Sequence, residues 1–149
     1  EKSTQSLRQT ADAKSISLSL NVPDISFETD PGLLDTIVRN LVANAIKFSY
    51  SGQTVSVAAH VENNFVTVSV SDTGTGMSGE TLDNLFQLDK AKSLPGTANE
   101  TGTGLGLFLS HEFAVRLGGK IEVSSKENEG SVFSIVLPLK EENEDNIGN

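Results

Sequence analysis

The chain contains no cysteine, which removes disulfides, thiol catalysis and Cys-ligated zinc and fits a reducing compartment. Its apolar runs are far shorter than a membrane span, and no signal peptide opens it, so no direct membrane contact is expected. Basic residues are scarce: 11 Lys and Arg stand against 20 Asp and Glu, for a formal charge of −9. Nucleic-acid surfaces need clustered Lys and Arg, so this balance argues against one. A single bound nucleotide needs only local positive potential and is not excluded.

Length and composition predict one domain, since 149 residues with 36% hydrophobic content can build a single core. Residues 1–14 have weak helical character and are expected to be the tail of a preceding helix or linker. The domain itself is predicted over residues 15–139, followed by a disordered acidic tail at 140–149. Because the sequence begins at Glu1 without Met, we expect it to be a piece of a longer protein.

The first half of the chain predicts two strands, a helix and a hairpin. Alternating Ile16, Leu18 and Leu20 indicate a half-buried strand, and residues 25–29 a short second one. Asp30-Pro31 is a helix start, with an N-cap carboxylate and Pro at the first helical position. The helix ends before Ser51-Gly52, and its apolar stripe is Leu33, Leu34, Ile37, Val38, Leu41, Val42 and Ala45. Two alternating strands, 55–61 and 66–70, then turn at Asn63-Asn64.

The second half predicts two helices and a second hairpin. A short helix runs through Leu82, Leu85 and Phe86, and residues 87–100 form a long aperiodic loop of the kind used as a lid. The next helix ends at Gly118-Gly119, with its buried side predicted as Leu105, Phe108, Leu109, Phe113 and Leu117. Final strands at 121–125 and 132–137 turn around residues 128–130. This order predicts an α/β (α+β) two-layer sandwich: a mixed, largely antiparallel sheet with about three helices on one face.

Asn40, Asn44 and Lys47 form one row on the long helix, at positions i, i+4 and i+7. Asn is a poor interior helix residue because its side chain competes for backbone hydrogen bonds. One interpretation is an ordinary solvated face. The other is a row of oxygen ligands and a cation that faces a polyanion.

Asp72 ends the second hairpin strand and, by parity, lies on the core face with Val66, Val68 and Val70. A buried carboxylate there must find donors, and the exocyclic amine of adenine is one. Gly74 and Gly76 would then let the backbone lie against the purine. The alternative is a turn Asp that caps its own loop.

The glycines at 74, 76 and 79 also match a dinucleotide fingerprint, but no second strand follows the short helix. The acidic residue expected about 20 positions later would be Glu100, inside the predicted lid. A Walker phosphate loop is missing as well. The second cluster, Gly102, Gly104 and Gly106, leads into a helix and indicates either an anion site or a flexible hinge.

Taken together, these segments resemble the catalytic ATP-binding domain of bacterial sensor histidine kinases, within the gyrase, chaperone and mismatch-repair ATPase superfamily and its Bergerat-type fold. The likeness covers residues 15–139. Residues 40–49 resemble the N box, Asp72 to Met77 the G1 box, and Gly102 to Leu107 the G2 box. Leu85-Phe86 is similar to the start of the F box, and Gly130 to Phe133 to the G3 signature. The F box departs from the pattern, since no second Phe and no Arg follow Phe86.

The resemblance implies a role for each matching residue. Asn44, assisted by Asn40, would bind Mg²⁺, and Lys47 would face the phosphates of ATP. Asp72 would hold adenine beside Gly76, with Ser131 as a water-mediated helper. Gly102, Gly104 and Gly106 would wrap the phosphates, residues 87–103 would be the lid, and Lys90 or Lys92 would supply a lid cation. The remaining residues expected to contact ATP are Phe48, Gly74, Met77, Phe86, Thr101, Thr103, Leu105 and Leu107.

The implied function is transfer of the γ-phosphoryl group of ATP to a histidine on a dimerisation domain, then to a response-regulator Asp. Neither histidine of this chain fits the acceptor. His111-Glu112 is interpreted as helix surface, and His60 as a packing or surface residue. A cytoplasmic domain is expected, within a sensor that membrane segments elsewhere can anchor, and dimerisation is expected only through the upstream domain.

Other functions of the same fold stay open at this point. One is an ATP-hydrolysing switch, and another is an anti-sigma-type serine kinase. Hydrolysing relatives carry a water-activating Glu four residues before the Mg²⁺-binding Asn, where this chain has Asn40, so we expect negligible ATPase activity. A nucleotide-docking module without catalysis would show broken boxes.

Overall fold

A computed structural model describes residues 2–22, 29–80 and 105–139, with side chains described for residues 7–22, 29–80 and 106–139. Several predictions therefore fall outside the described residues. They are the second strand apart from Thr29, the helix through Leu82, Leu85 and Phe86, the lid at 87–103 with Gly102, and the tail at 140–149. The positions of Thr101, Thr103 and Gly104 lie outside as well.

The described residues form three helices and five strands in one two-layer arrangement. In chain order they are α1 Lys2–Ala13, β1 Ser17–Asn21, α2 Pro31–Phe48, β2 Thr54–Glu62, β3 Phe65–Asp72, α3 Leu105–Arg116, β4 Lys120–Lys126 and β5 Gly130–Pro138. The strands make one sheet in the order β1-β2-β3-β5-β4. Strand β1 runs parallel to β2, and every other pair is antiparallel. The predicted mixed, largely antiparallel α/β sandwich is confirmed.

Helix α2 begins and ends as its sequence predicts. The Asp30 carboxylate accepts hydrogen bonds from the backbone N–H groups of Gly32 and Leu33, at 2.9 and 3.1 Å, and Pro31 opens the first turn. The apolar stripe is buried at its centre, where it packs on β2, β3 and α3; the buried residues are Ile37, Leu41, Val42, Ala45 and Ile46. This packing fixes which face of α2 the polar row can occupy.

The sheet contributes the other half of the core through alternate residues of its central strands. The buried ones are Val55, Val57, Val66, Val70, Ile121, Phe133, Ile135 and Leu137. Asn63 and Asn64 adopt positive φ values of 53° and 66°, as a two-residue hairpin turn of the primed type requires. The predicted turn is confirmed. No helix in the described part of the chain is long and apolar enough to cross a membrane.

The predicted buried side of α3 is partly wrong. Phe113 and Leu117 do pack against the core, but Leu109 is 41% exposed. The inward line instead runs through Ser110 and Ala114, both fully buried. Leu109 lies about 100° around the helix from Ser110, which turns it away from α2. A serine thus occupies a position where hydrophobicity alone favours leucine.

Candidate functional site

Asn40 joins α2 to the beginning of α3. Its Nδ2 donates a hydrogen bond to the hydroxyl of buried Ser110 at 3.1 Å and lies 3.5 Å from the carbonyl oxygen of Gly106. A Cβ atom at Gly106 would meet the Asn40 side chain at 3.9 Å, an ordinary contact distance. The first member of the polar row is therefore held by the last glycine of the second cluster and by the helix that begins there.

Asn44 and Lys47 lie further along the same row. Among the described residues, none hydrogen-bonds to the half-buried side chain of Asn44, and none provides a carboxylate partner for Lys47. The ammonium of Lys47 lies 5.1 Å from the centroid of the Phe48 ring, within reach of a cation–π interaction. An amide side chain and a cation thus lie on neighbouring turns of α2.

Asp72 is buried on the core face of the sheet, as the strand parity predicts, with only 7% of its surface exposed. Its Oδ1 accepts a hydrogen bond from the backbone N–H of Gly74 at 2.9 Å, so one carboxylate oxygen does cap its own loop. Across the sheet it pairs with Ser131 of β5. The turn-capping interpretation and a ligand-binding role are therefore compatible.

Burial is the main influence on the ionisation of Asp72. Desolvation raises the pKa of its carboxyl above the ordinary value, and backbone hydrogen bonds from Gly74 and Ser131 lower it by less. A carboxylate in this position gains from any further donor, and an amine N–H of a ligand is one. Perturbed carboxyl groups of this kind are typical of functional sites.

The glycines after Asp72 are required by the protein's own backbone. A side chain at Gly74 would overlap the carbonyl oxygen of Phe48, which accepts a hydrogen bond from Thr75 N–H at 3.1 Å. A side chain at Gly76, whose φ is +65°, would overlap the carbonyl oxygen of Lys126. The fold therefore requires these two glycines whether or not a ligand is bound, and the expectation that they also make room for a purine stays a prediction. They let the loop close on α2 and on β4.

The hydroxyl groups of Ser125 and Ser131, on β4 and β5, support the loop that follows Asp72. Ser125 Oγ accepts a hydrogen bond from the backbone N–H of Met77 at 2.9 Å, donates to the carbonyl of Gly130 at 3.0 Å, and contacts Ser131 Oγ at 2.7 Å. Ser125 and Ser110 were not among the site residues expected from the sequence. Each has a signal, because each is a polar residue at an inward-facing position of its element.

The structure thus brings many of the expected site residues to two connected regions. Asn40 lies beside Gly106 at the start of α3, while Phe48 contacts the loop that holds Asp72, Gly74, Gly76 and Met77. Leu107 packs against the core. For Leu105 the helical backbone is described but not the side chain. His60 and His111 lie outside these regions, and each contacts a glutamate of its own element at 3.8 Å.

Comparison with known families identifies the class of domain. Residues 29–141 match the family described as histidine kinase-, DNA gyrase B- and HSP90-like ATPase. The match covers well over half of the chain, which therefore belongs to this family. ATP is the ligand of the family, and the fold and resemblance expected from the sequence are confirmed.

Similar proteins narrow the relationship to sensor histidine kinases. The chain is 34% identical to sensor histidine kinase AtsR of Burkholderia thailandensis over 83% of its length, and 40% identical to the adaptive-response sensory kinase SasA of Prochlorococcus marinus over 74%. It spans only 21% and 29% of those relatives. The catalytic domain of histidine kinase ThkA has the same fold, with a TM-score of 0.78 and 23% identity over 93% of this chain and 90% of that one.

Proposed function

We propose that this chain is the ATP-binding catalytic domain of a two-component sensor histidine kinase. It binds ATP with Mg²⁺ and transfers the γ-phosphoryl group to a histidine on a separate dimerisation domain of the same full-length protein. That phosphoryl group then passes to an aspartate of a response-regulator receiver domain. Family membership and the kinase relatives support this function.

The observation that carries the proposal is the position of the polar row of α2. Its first member, Asn40, bonds to the start of α3, and the residue after Lys47 bonds through its carbonyl to the loop that follows Asp72. A ligand that contacts Asp72 at one end and the start of α3 at the other must pass over Asn44 and Lys47. ATP fits this order, because its adenine would lie at Asp72 and its triphosphate would extend past Lys47 and Asn44 toward α3.

In this proposal Asp72 accepts a hydrogen bond from the adenine amine, with Gly74, Gly76, Met77 and Ser131 around it. Phe48 and Lys47 lie toward the sugar and phosphates. The further ATP contacts are proposed at Phe86, Thr101, Gly102, Thr103, Gly104, Leu105, Gly106 and Leu107. A lid at 87–103, with Lys90 or Lys92 as a cation, completes the site.

The donor set fits Mg²⁺. The amide nitrogen of Asn40 donates to Ser110 of α3, so its amide oxygen remains available to a metal. The Asn44 side chain has no hydrogen-bonding partner among the described residues. No group of three His, Cys, Asp or Glu residues that could hold a metal occurs in the described ranges. Few hard oxygen ligands suit a metal that keeps waters and bridges phosphates. Mg²⁺ supplies charge neutralisation on the phosphate oxygens.

The identity of residue 40 favours phosphoryl transfer to a protein over hydrolysis. An asparagine side chain cannot accept a proton from water, so it cannot act as a general base. Here its amide is also committed to Ser110. The contribution of this domain is therefore positioning and electrostatic stabilisation, the main sources of catalysis in phosphoryl transfer. ATP, the phosphoryl donor of this reaction, is found in the cytoplasm. We therefore propose that the domain lies in the cytoplasm.

Calorimetric titration of the chain with ATP, with and without Mg²⁺, tests the binding step. We expect Asp72→Asn to lose most of the affinity, and Lys47→Met to lose affinity for ATP but not for adenosine. Ser124→Ala, on an exposed position of β4, serves as the matched control. Unchanged ATP affinity in Asp72→Asn would contradict the adenine assignment.

A second experiment tests the acceptor. The chain is joined to its natural upstream segment and incubated with γ-labelled ATP. Acid-labile label on the upstream segment supports the histidine kinase. Acid-stable label on a partner serine would instead indicate a serine kinase, and rapid release of inorganic phosphate by the chain alone would indicate an ATP-hydrolysing switch.

A further inference from the structure

Lys14, at the end of α1, holds the last turn of α2. Its ammonium donates hydrogen bonds to the carbonyl oxygens of Ile46 and Lys47, at 3.0 and 2.9 Å. These carbonyls lie in the last turn of a helix, where the dipole favours a positive charge; that of Ile46 also accepts a hydrogen bond from the C-cap Ser49 N–H at 3.3 Å. The contact spans more than 30 residues of sequence, so it fixes α1 to the end of α2 that bears Lys47 and Phe48.

The residues that follow Lys14 are bonded to the turn that follows α2. The carbonyl of Lys14 accepts a hydrogen bond from the Ser51 hydroxyl at 2.9 Å. The carbonyl of Ser15 accepts one from Gly52 N–H at 2.8 Å, and Ser17 N–H donates to the carbonyl of Gln53 at 3.0 Å. We call residues 14–17 the α1–β1 junction. Three of its four residues, Lys14, Ser15 and Ser17, thus bond to residues 46–53, whereas Ile16 N–H donates to the carbonyl of Ala11 at 2.8 Å.

Gln53 extends this network to the loop after Asp72. Its Nε2 donates a hydrogen bond to the carbonyl of Thr73 at 3.0 Å, while its Oε1 accepts one from the N–H of Tyr50 at 2.7 Å. Thr73 lies between Asp72 and Gly74, the two residues whose mutual hydrogen bond sets the carboxylate direction. A side chain outside every recognised box therefore holds the segment that carries the candidate adenine carboxylate.

We propose that Lys14 and Gln53 are positioning residues of the ATP site. Lys14 holds the α2 end that carries Lys47, on the phosphate side, and Gln53 holds the Asp72–Gly74 turn, on the adenine side. Both act through protein backbone groups rather than through ATP itself, and both are connected to the α1–β1 junction. This inference rests on the proposed function, since it assigns the two residues to the same ATP site.

The two residues act on different parts of the ligand. Without the Lys14 ammonium, two helix-end carbonyls lose a charged donor, which loosens the last turn of α2 and displaces Lys47 from the phosphates. Without the Gln53 amide, the carbonyl of Thr73 loses its donor and the carboxylate of Asp72 loses a fixed direction. A small displacement of a positioning group costs much of the binding it supports.

Titration of the chain with Mg·ATP and with adenosine, followed by NMR, separates these effects. We expect Lys14→Met to weaken Mg·ATP binding by about tenfold, as loss of a charged hydrogen bond implies, with adenosine affinity changed by less than about twofold. Gln53→Leu should weaken binding of both ligands by the same factor. Lys14→Arg, which keeps the charge and the donors, should restore Mg·ATP affinity.

Lys120→Met is the matched control, because the Lys120 side chain is 65% exposed and its ammonium contacts Glu122 at 3.1 Å on β4, away from α2. If Lys14→Met does not fold, Lys14→Gln takes its place under the same criteria. Equal losses for Mg·ATP and adenosine in the Lys14 variant, or no loss, would overturn the inference. Wild-type protein that fails to bind ATP would instead overturn the proposed function.

Discussion

A side chain at Gly74 would occupy the space of the Phe48 carbonyl oxygen, so the loop after Asp72 and the end of α2 meet backbone to backbone. We expect Gly74→Ala to lower the free energy of unfolding by about 2 kcal/mol or more, because neither backbone can move without breaking the Thr75–Phe48 hydrogen bond. ATP affinity should fall with it. Urea denaturation and calorimetry measure the two effects.

Gly79→Ala is the control for this prediction, because no atom of the described residues, apart from the adjacent residues of the chain, lies within 4 Å of a Cβ built there. Its stability should stay within about 0.5 kcal/mol of the wild type, as for most surface changes. A Gly74→Ala protein as stable as Gly79→Ala would mean that the loop can move away from α2.

Burial of Asp72 predicts a specific pH dependence of stability. The raised pKa means that the folded state holds a proton at pH values where the unfolded state has released it. Stability from this group is therefore lost as pH rises from below the ordinary value of 3.8 through the raised value. Asp72→Asn cannot ionise, so its stability relative to wild type should increase across that window and level off above it.

Urea denaturation of both proteins at a series of pH values measures this difference. The asparagine oxygen can still accept the hydrogen bond from Gly74 N–H, so the variant should fold. A stability difference that does not change with pH would show that the Asp72 carboxyl has the same pKa in the folded and unfolded states.

The Asn40–Ser110 hydrogen bond predicts coupling between α2 and α3. Ser110→Ala leaves the Asn40 amide, within the described ranges, with only the longer contact to Gly106, so we expect a loss of about 1 kcal/mol in stability. In a double-mutant cycle with Asn40→Ala, the two losses should not add, with a coupling energy of about 1 kcal/mol. Additive effects would mean that the contact contributes nothing.

Ser125 and Ser124 are neighbours on β4 with opposite environments. Ser125 bonds to Met77, Gly130 and Ser131, whereas Ser124 is exposed. We expect Ser125→Ala to cost about 1 to 2 kcal/mol and to weaken adenosine binding, because the loop loses its support. Ser124→Ala should change neither. Equal behaviour of the two variants in thermal unfolding and adenosine titration would contradict this role.

Local sequence signals predicted much of this fold correctly. Asp30-Pro31 marks the start of α2, Asn63-Asn64 marks a hairpin turn, and strand parity places Asp72 on the core face. Each of these signals depends on residues within a few positions of one another, and the physical cause acts at the same short range. The Asn40, Asn44 and Lys47 row was visible for the same reason.

Other features depend on contacts between distant segments, which local patterns do not report. Hydrophobicity favoured Leu109 as a buried residue. The side chain of α2 that faces α3 at this point is the polar Asn40, however, and Ser110 is the residue that accepts its hydrogen bond. Likewise the requirement for glycine at 74 comes from a carbonyl 26 positions earlier. Lys14 and Gln53 gave no signal, because their partners are backbone carbonyls and any residue type supplies those.

The turn between β4 and β5 has a consequence for synthesis of the protein. Asn128 N–H donates to the carbonyl of Thr75 at 2.6 Å, and Asp72 pairs with Ser131, so the last hairpin supports a loop made more than 50 residues earlier. A nascent chain on the ribosome therefore carries α2 and β3 before the hairpin that supports the Asp72 loop has been made. We expect translation-arrested chains to retain ATP only once Pro138 has emerged from the exit tunnel, because domains of this kind fold as units.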